Sequence, residues 1–148
     1  MPDGKVVVIG AGPAGLEAAT VAAGLGADVV LIEKSDGPGG RPIQERYAAL
    51  THGFRSAEEA VGELIETAVS SPHVDLRNST EVSEVTGSAG DFTVTLTSNG
   101  ESESIEAGAI VLATGFQHFD PGRETQQYQY YELPDVITIA DAEGMLKD

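Results

Sequence analysis

Three short runs along this chain are apolar without alternation. Residues 5–9 read KVVVI, 28–33 read DVVLIE and 109–113 read AIVLA. Short β-branched runs of this kind are how strands buried on both faces of a parallel sheet read. Between the first two stands LEAATVAAGLG, in which Leu16, Ala19, Ala22 and Ala23 share one helix face. Its alanines let a helix lie close to a sheet, and Gly24 and Gly26 supply a C-terminal stop. The pattern therefore predicts one βαβ unit over residues 1–34, of right-handed crossover.

Residues 35–55 read as a loop-rich crossing that opens SDGPGGRP. Ser56 then starts S-A-E-E, a capping box with Glu59 at the third helical position. Ala60, Val61, Leu64, Ile65, Ala68 and Val69 recur at helical spacing, and Pro72 ends the helix. Residues 74–76 suit a short third strand. From Glu81 the period changes to two: Val82 and Val85 precede Gly87, then Phe92, Val94 and Leu96 alternate with Thr93, Thr95 and Thr97. Asn99-Gly100 is a hairpin turn signal, with Ile105 in the returning strand. This predicts an antiparallel meander over 81–107, where a repeat of βαβ would otherwise stand. After the AIVLA strand, residues 116–148 form a polar, Tyr-rich tail with a short strand expected at Ile137 and Ile139 and a helical turn or two over 140–147. The fold expected is α/β: a Rossmann-like parallel sheet with flanking helices and a small antiparallel β-meander, in one domain spanning 1–148.

The candidate chemistry lies where the first strand ends. Gly10-x-Gly12-x-x-Gly15 falls between a predicted strand and a predicted helix, the context that a dinucleotide fingerprint needs. Gly10 permits the tight turn, Gly12 lets a pyrophosphate reach the backbone, and Gly15 lets helix and strand pack closely. The helix start offers free N–H groups and a positive dipole end to phosphate. Glu33 closes the second strand, 18 residues beyond Gly15. A carboxylate there accepts the hydroxyl protons of an adenosine ribose and repels a 2′-phosphate, which disfavours NADP. Its replacement by Ala is expected to weaken nucleotide binding and leave the fold intact. These features alone fit FAD or NAD. Gly39, Gly40 and Arg41 just after the ribose site, the meander, and the AIVLATG strand behind it favour FAD.

Composition narrows the partners. A chain of 148 residues, 41% hydrophobic, suits one core. A formal net charge of −16 argues against nucleic acid or an anionic membrane surface. There are no cysteines, hence no disulfide, no thiolate nucleophile and no cysteine ligands for zinc or iron–sulfur clusters, and His52, His73 and His118 show no metal spacing. The start, MPDGKVVVIG, reads as neither signal peptide nor membrane span, so a cytoplasmic location is expected, with any membrane association made through partner subunits.

VVVIGAGPAGLEAA, LIEK followed by GGR, and GAIVLATGF together resemble the FAD domain of glutathione-reductase-type flavoproteins with two dinucleotide-binding domains. VSEVTGSAGDFTVTL, GAIVLATGFQHFDP and LPDVITIADAEGML bring the chain closer to the A-type subunits of heterodisulfide reductase and their relatives in quinone-interacting oxidoreductase complexes. The resemblance runs over nearly the whole chain. It implies that Gly10, Ala11, Gly12, Pro13, Ala14 and Gly15 hold the pyrophosphate of FAD, that Glu33 and Lys34 meet the adenosine ribose, and that Gly40 and Arg41 line the ribityl or pyrophosphate side. It implies further that Val82 meets the adenine through its backbone and that Thr114 and Gly115 pass close to the cofactor. Relatives carry cysteine motifs for iron–sulfur clusters, a redox cysteine pair near the GG loop, or a second glycine fingerprint, and this chain has none of these. The implied strand for the flavin end would follow Asp148, so the domain is expected to continue there, and the chain alone is expected not to turn over. The implied role is a flavin redox subunit passing electrons to iron–sulfur partners. The alternatives are part of an NAD(P)H-dependent flavin oxidoreductase or monooxygenase, and a non-catalytic module for ADP or a dinucleotide.

Overall fold

The computed structural model describes residues 4–50, 53–121 and 127–147; the expectation that His52 is a loop residue lies outside them. In chain order the elements are β1 (Lys5–Ile9), α1 (Pro13–Gly24), β2 (Val29–Ile32), α2 (Gly40–Gln44), α3 (Ala57–Val69), β3 (Val74–Arg77), β4 (Thr80–Ser88), β5 (Asp91–Ser98), β6 (Glu101–Leu112) and α4 (Ile139–Lys147). They build one mixed sheet of six strands, ordered β3-β2-β1-β6-β5-β4, with flanking helices, a Rossmann-like arrangement. Strands β3, β2, β1 and β6 run parallel, and β6, β5 and β4 run antiparallel.

The unbroken apolar runs are explained by two cores, one on each face of the parallel strands. Val8, Val29 and Leu31 point to one side and meet Leu16, Ala19 and Ala23 of α1 and Val61 and Ala68 of α3. Their strand neighbours Val7, Val30 and Ile32 point to the other and meet Val94, Leu96, Ile105 and Ala107 of the meander. The meander thus covers the face that a second set of crossover helices would otherwise cover. In α3 the Ser56 hydroxyl accepts from the Glu59 N–H at 3.2 Å, as the capping box predicts. The reciprocal half of the box does not form, because the Glu59 carboxylate turns to Arg55 at 3.2 Å.

Strand β6 corrects the sequence reading in two ways. The returning meander strand and the AIVLA strand are one continuous element. Residues 101–107 pair with β5, and from Ala107 onward the strand pairs with β1. The changeover is a bulge at Gly108, where Lys5 pairs with Ala107 and Val6 with Ala109. The second correction concerns burial: Leu112 is 75% exposed, so the end of this run is not buried on both faces. The strand expected at Ile137 and Ile139 is absent. Ile137 lies in a non-repetitive segment and Ile139 opens α4, because Thr138 and Asp141 form a helix-start box: Asp141 accepts from the Thr138 N–H at 2.8 Å and its own N–H reaches the Thr138 hydroxyl at 3.2 Å. The 35–55 crossing also contains a helical turn, α2, which the sequence pattern does not announce.

Candidate functional site

Parallel strands β1, β2 and β6 all deliver their C-terminal ends to one edge of the sheet. Strand β1 lies between β2, which follows it in sequence, and β6, which the chain reaches last, through the meander. Ligands of open α/β sheets bind at such a crevice. Residues 10–15 follow β1, Glu33 follows β2, and Thr114 and Gly115 follow β6.

The turn after β1 is tight and wedged. Gly10 has φ +104°, and a Cβ there would stand 2.3 Å from the Ala113 carbonyl oxygen. A Cβ on Gly15 would stand 1.8 Å from the Gly10 carbonyl oxygen. Gly12 caps α1 in extended conformation with no side-chain cap, and Pro13 opens the helix, so the first N–H groups of α1 keep no side-chain acceptor. The 39–40 loop closes over this turn. The Gly39 N–H donates to the Ala11 carbonyl at 2.7 Å, and a Cβ on Gly40, whose φ is +62°, would lie 3.0 Å from the Gly12 Cα. Backbone from two separate loops therefore meets with no side chain between.

Glu33 is buried, at 6% exposure. Burial pushes its carboxyl up, but the Ser35 N–H and hydroxyl, the Ala11 N–H and the Lys34 charge outweigh it and hold the group below its ordinary value of 4.5. The Ala11 N–H donates to Oε2 at 2.9 Å, while the Ser35 N–H and hydroxyl donate to Oε1 at 2.9 and 2.7 Å. The carboxylate is thus tied to the glycine turn itself. The β3–β4 corner braces it from behind: the Thr80 N–H donates to the Glu33 carbonyl at 3.0 Å and the Ser79 N–H to the Ser35 carbonyl at 2.8 Å.

Lys34 is exposed beside Glu33, and Thr114 is exposed with its Cα close to Gly10. Gly115 is exposed with φ +71°. Arg41 is committed elsewhere than to open solvent. Its guanidinium pairs with Glu45, donates to the Phe116 carbonyl and lies 5.8 Å from the centroid of the Phe116 ring. Val82 stands apart from the glycine turn: its side chain packs on the meander core opposite Leu96, and its strand touches the site through Thr80.

Two groups of residues escape the sequence reading. Ser35 and Thr80 join the Glu33 site, and the only sequence signal is a short hydroxyl two residues past a strand-terminal Glu. The second group is Glu45, Tyr47 and His118. The Tyr47 hydroxyl is 2.8 Å and the Glu45 carboxylate 2.7 Å from His118 Nε2, although they lie 71 and 73 positions from it in sequence. Burial pushes Glu45 up, but bonds from Arg41, Tyr47 and His118 hold it below its usual value; Tyr47 is raised by burial and by Glu45. Glu45 and His118, with Arg41, Tyr130, Tyr131 and Asp141, line an open cleft of about 760 Å³. Among the described residues no group of three His, Cys, Asp or Glu side chains could hold a metal ion, and no helix is long and apolar enough to cross a membrane.

The chain is similar to proteins of known activity. A ferredoxin–NADP reductase of Lactiplantibacillus plantarum is 33% identical over 151 aligned residues, covering 92% of this chain and 44% of that protein. An A-type heterodisulfide reductase subunit of Methanosarcina acetivorans, named as dependent on ferredoxin or F420H2, is 46% identical over 46 residues, 31% of this chain and 6% of that protein. The thioredoxin reductase of T. acidophilum superposes with a TM-score of 0.67 at 26% identity, over 82% of this chain and 38% of that one. The chain therefore spans less than half the length of each of these relatives. The model of the pyridine nucleotide-disulphide oxidoreductase family matches residues 4–146, and the chain belongs to that family.

Proposed function

We propose that this chain binds FAD through its adenosine diphosphate half, as the nucleotide-binding domain of a flavin-dependent oxidoreductase. The observation that carries the reading is the Glu33 carboxylate, buried and bonded to the N–H of Ala11 inside the glycine turn. A ribose that donates to Glu33 has its 5′ phosphates directed at residues 10–15. There the uncapped N–H groups of α1 and the side-chain-free faces of Gly12 and Gly40 fit a pyrophosphate. Lys34 then lies at the ribose and Gly40 with Arg41 at the pyrophosphate or ribityl side. Thr114 and Gly115 run alongside the cofactor, and Val82 serves the adenine through its strand. Glu33 repels a 2′-phosphate, which favours FAD over NADP at this site. When bound, the flavin supplies the electron chemistry; the chain binds and orients it.

A finer reading follows from the short match to the heterodisulfide reductase protein and from the GGR loop at residues 39–41. It makes the parent protein a redox subunit resembling the A-type subunit of heterodisulfide reductase, exchanging electrons with iron–sulfur partners. Ferredoxin in the names of two of the matched relatives supports a partner of that class. Competition separates nucleotide recognition from flavin recognition. The expected result is that FAD binds, that ADP displaces it, and that FMN, which lacks the adenosine half, does not bind. FMN binding as tightly as FAD would overturn the reading.

A further inference from the structure

Ser35 touches three parts of the proposed nucleotide cradle. Its N–H and hydroxyl both reach Glu33 Oε1, at 2.9 and 2.7 Å. Its hydroxyl oxygen lies 2.9 Å from the Gly37 carbonyl on the way to the 39–40 loop, and Gln44 of α2 approaches it at 3.4 Å. Its carbonyl accepts from Ser79 in the β3–β4 corner. A hydroxyl has one proton, and an ionised carboxylate at the shorter distance is the stronger acceptor, so that proton faces Glu33.

The geometry of the carboxylate gives this contact its consequence. Ala11 fixes only Oε2, and a carboxylate held at one oxygen can still rotate about its last side-chain bond. Ser35 fixes the other oxygen and sets the plane of the group. We propose that Ser35 is a positioning residue for the nucleotide, whose hydroxyl orients the Glu33 carboxylate toward the ribose hydroxyls. This rests on the reading of Glu33 as the ribose acceptor.

The charged groups around Glu33 are few. Lys34 acts on it from the same loop. Asp36 is exposed one residue past Ser35. From β3, Arg77 is engaged with Asp75 and Glu103, and from α2, Arg41 is engaged with Glu45. The glycine turn contributes none. Loss of the Ser35 hydroxyl leaves the Ser35 and Ala11 N–H groups and the Lys34 charge acting on the carboxylate.

The test follows the Glu33 carboxyl by NMR through acid titration of the ligand-free protein, together with calorimetric ADP binding at neutral pH, for wild type, Ser35→Ala and Ser35→Thr. Ser35→Ala keeps the backbone N–H bond and loses the hydroxyl. Its Glu33 midpoint should rise and its ADP affinity should fall about ten-fold. Ser35→Thr, which restores a hydroxyl, should recover both. Ser35→Ala with wild-type affinity and an unmoved Glu33 midpoint overturns the inference while leaving the nucleotide site standing. Wild-type protein that fails to bind ADP overturns the reading beneath it.

Discussion

A buried carboxylate destabilises a fold unless its charge is answered by hydrogen bonds, and Glu33 is answered by three donors from two residues. This alters what a mutation at Glu33 means. On sequence alone, Glu33→Ala should weaken nucleotide binding and spare the fold. With the Ala11 N–H donating to Glu33, alanine would leave a buried donor without an acceptor and cost about 1–3 kcal/mol of stability as well. Glu33→Gln is the cleaner variant, since it keeps an acceptor oxygen and removes the charge. It should weaken ADP binding by about ten-fold to a hundred-fold, the worth of charge-assisted bonds of roughly 1.5–3 kcal/mol; unchanged affinity would remove Glu33 from the site. The pH dependence carries a definite sign. Glu33 titrates below its ordinary 4.5 in the folded chain, so its contribution to stability is present above that value and is lost as pH falls through the lowered one. Denaturant unfolding of wild type and Glu33→Gln should therefore differ at neutral pH and converge on acidification.

At the scale of elements, what could be read from the sequence is what depends on local pattern. The KVVVI and DVVLIE strands, the Ser56 cap and the Asn99-Gly100 turn all follow from side-chain period and backbone preference. At that turn both residues take positive φ, 53° and 83°, as a tight hairpin requires. The continuity of β6 was not legible. A strand that pairs antiparallel over its first half and parallel over its second must switch its hydrophobic pattern, and the switch reads as two elements separated by Gly108. Likewise α2 has five residues, too few for a period, and is set by the contacts of the 39–40 loop with the glycine turn. The site divides along the same line. Residues 10–15 and Glu33 announce themselves because dinucleotide chemistry fixes their spacing. Ser35, Thr80 and the Glu45–Tyr47–His118 cluster depend on which loops the fold brings together. Helix α1 also carries a local misfit: the Thr20 hydroxyl oxygen is buried with no partner among the described residues. Thr20→Val keeps the shape and removes the desolvated hydroxyl. It should stabilise the chain by about 1 kcal/mol, a Tm rise of roughly 2–4 °C in a scan; a fall would mean that the hydroxyl has a partner in solution.

Over the whole molecule, two cores share one sheet and leave the C-terminal ends of its parallel strands at one edge. Helices α1 and α3 cover one face of the parallel strands and the meander covers the other, so the strand ends are the place where backbone remains available to a ligand. The glycine turn, Glu33 and the end of β6 gather there, and the exposed apolar side chains Leu112, Phe116 and Phe119 stand on or just past that strand end. The acidic balance of −16 gives anions no general attraction, so a phosphate ligand has to be held by the N–H groups and the few cations of this edge. The most direct measurement of that claim is a backbone-amide NMR titration of the isotopically labelled chain with ADP, FAD and NADP in turn. ADP and FAD should shift the same resonances, residues 10–15, 33–35 and 39–41, and NADP should bind more weakly than either. Shifts confined to the 81–107 meander, or NADP binding more tightly than FAD, would contradict the account.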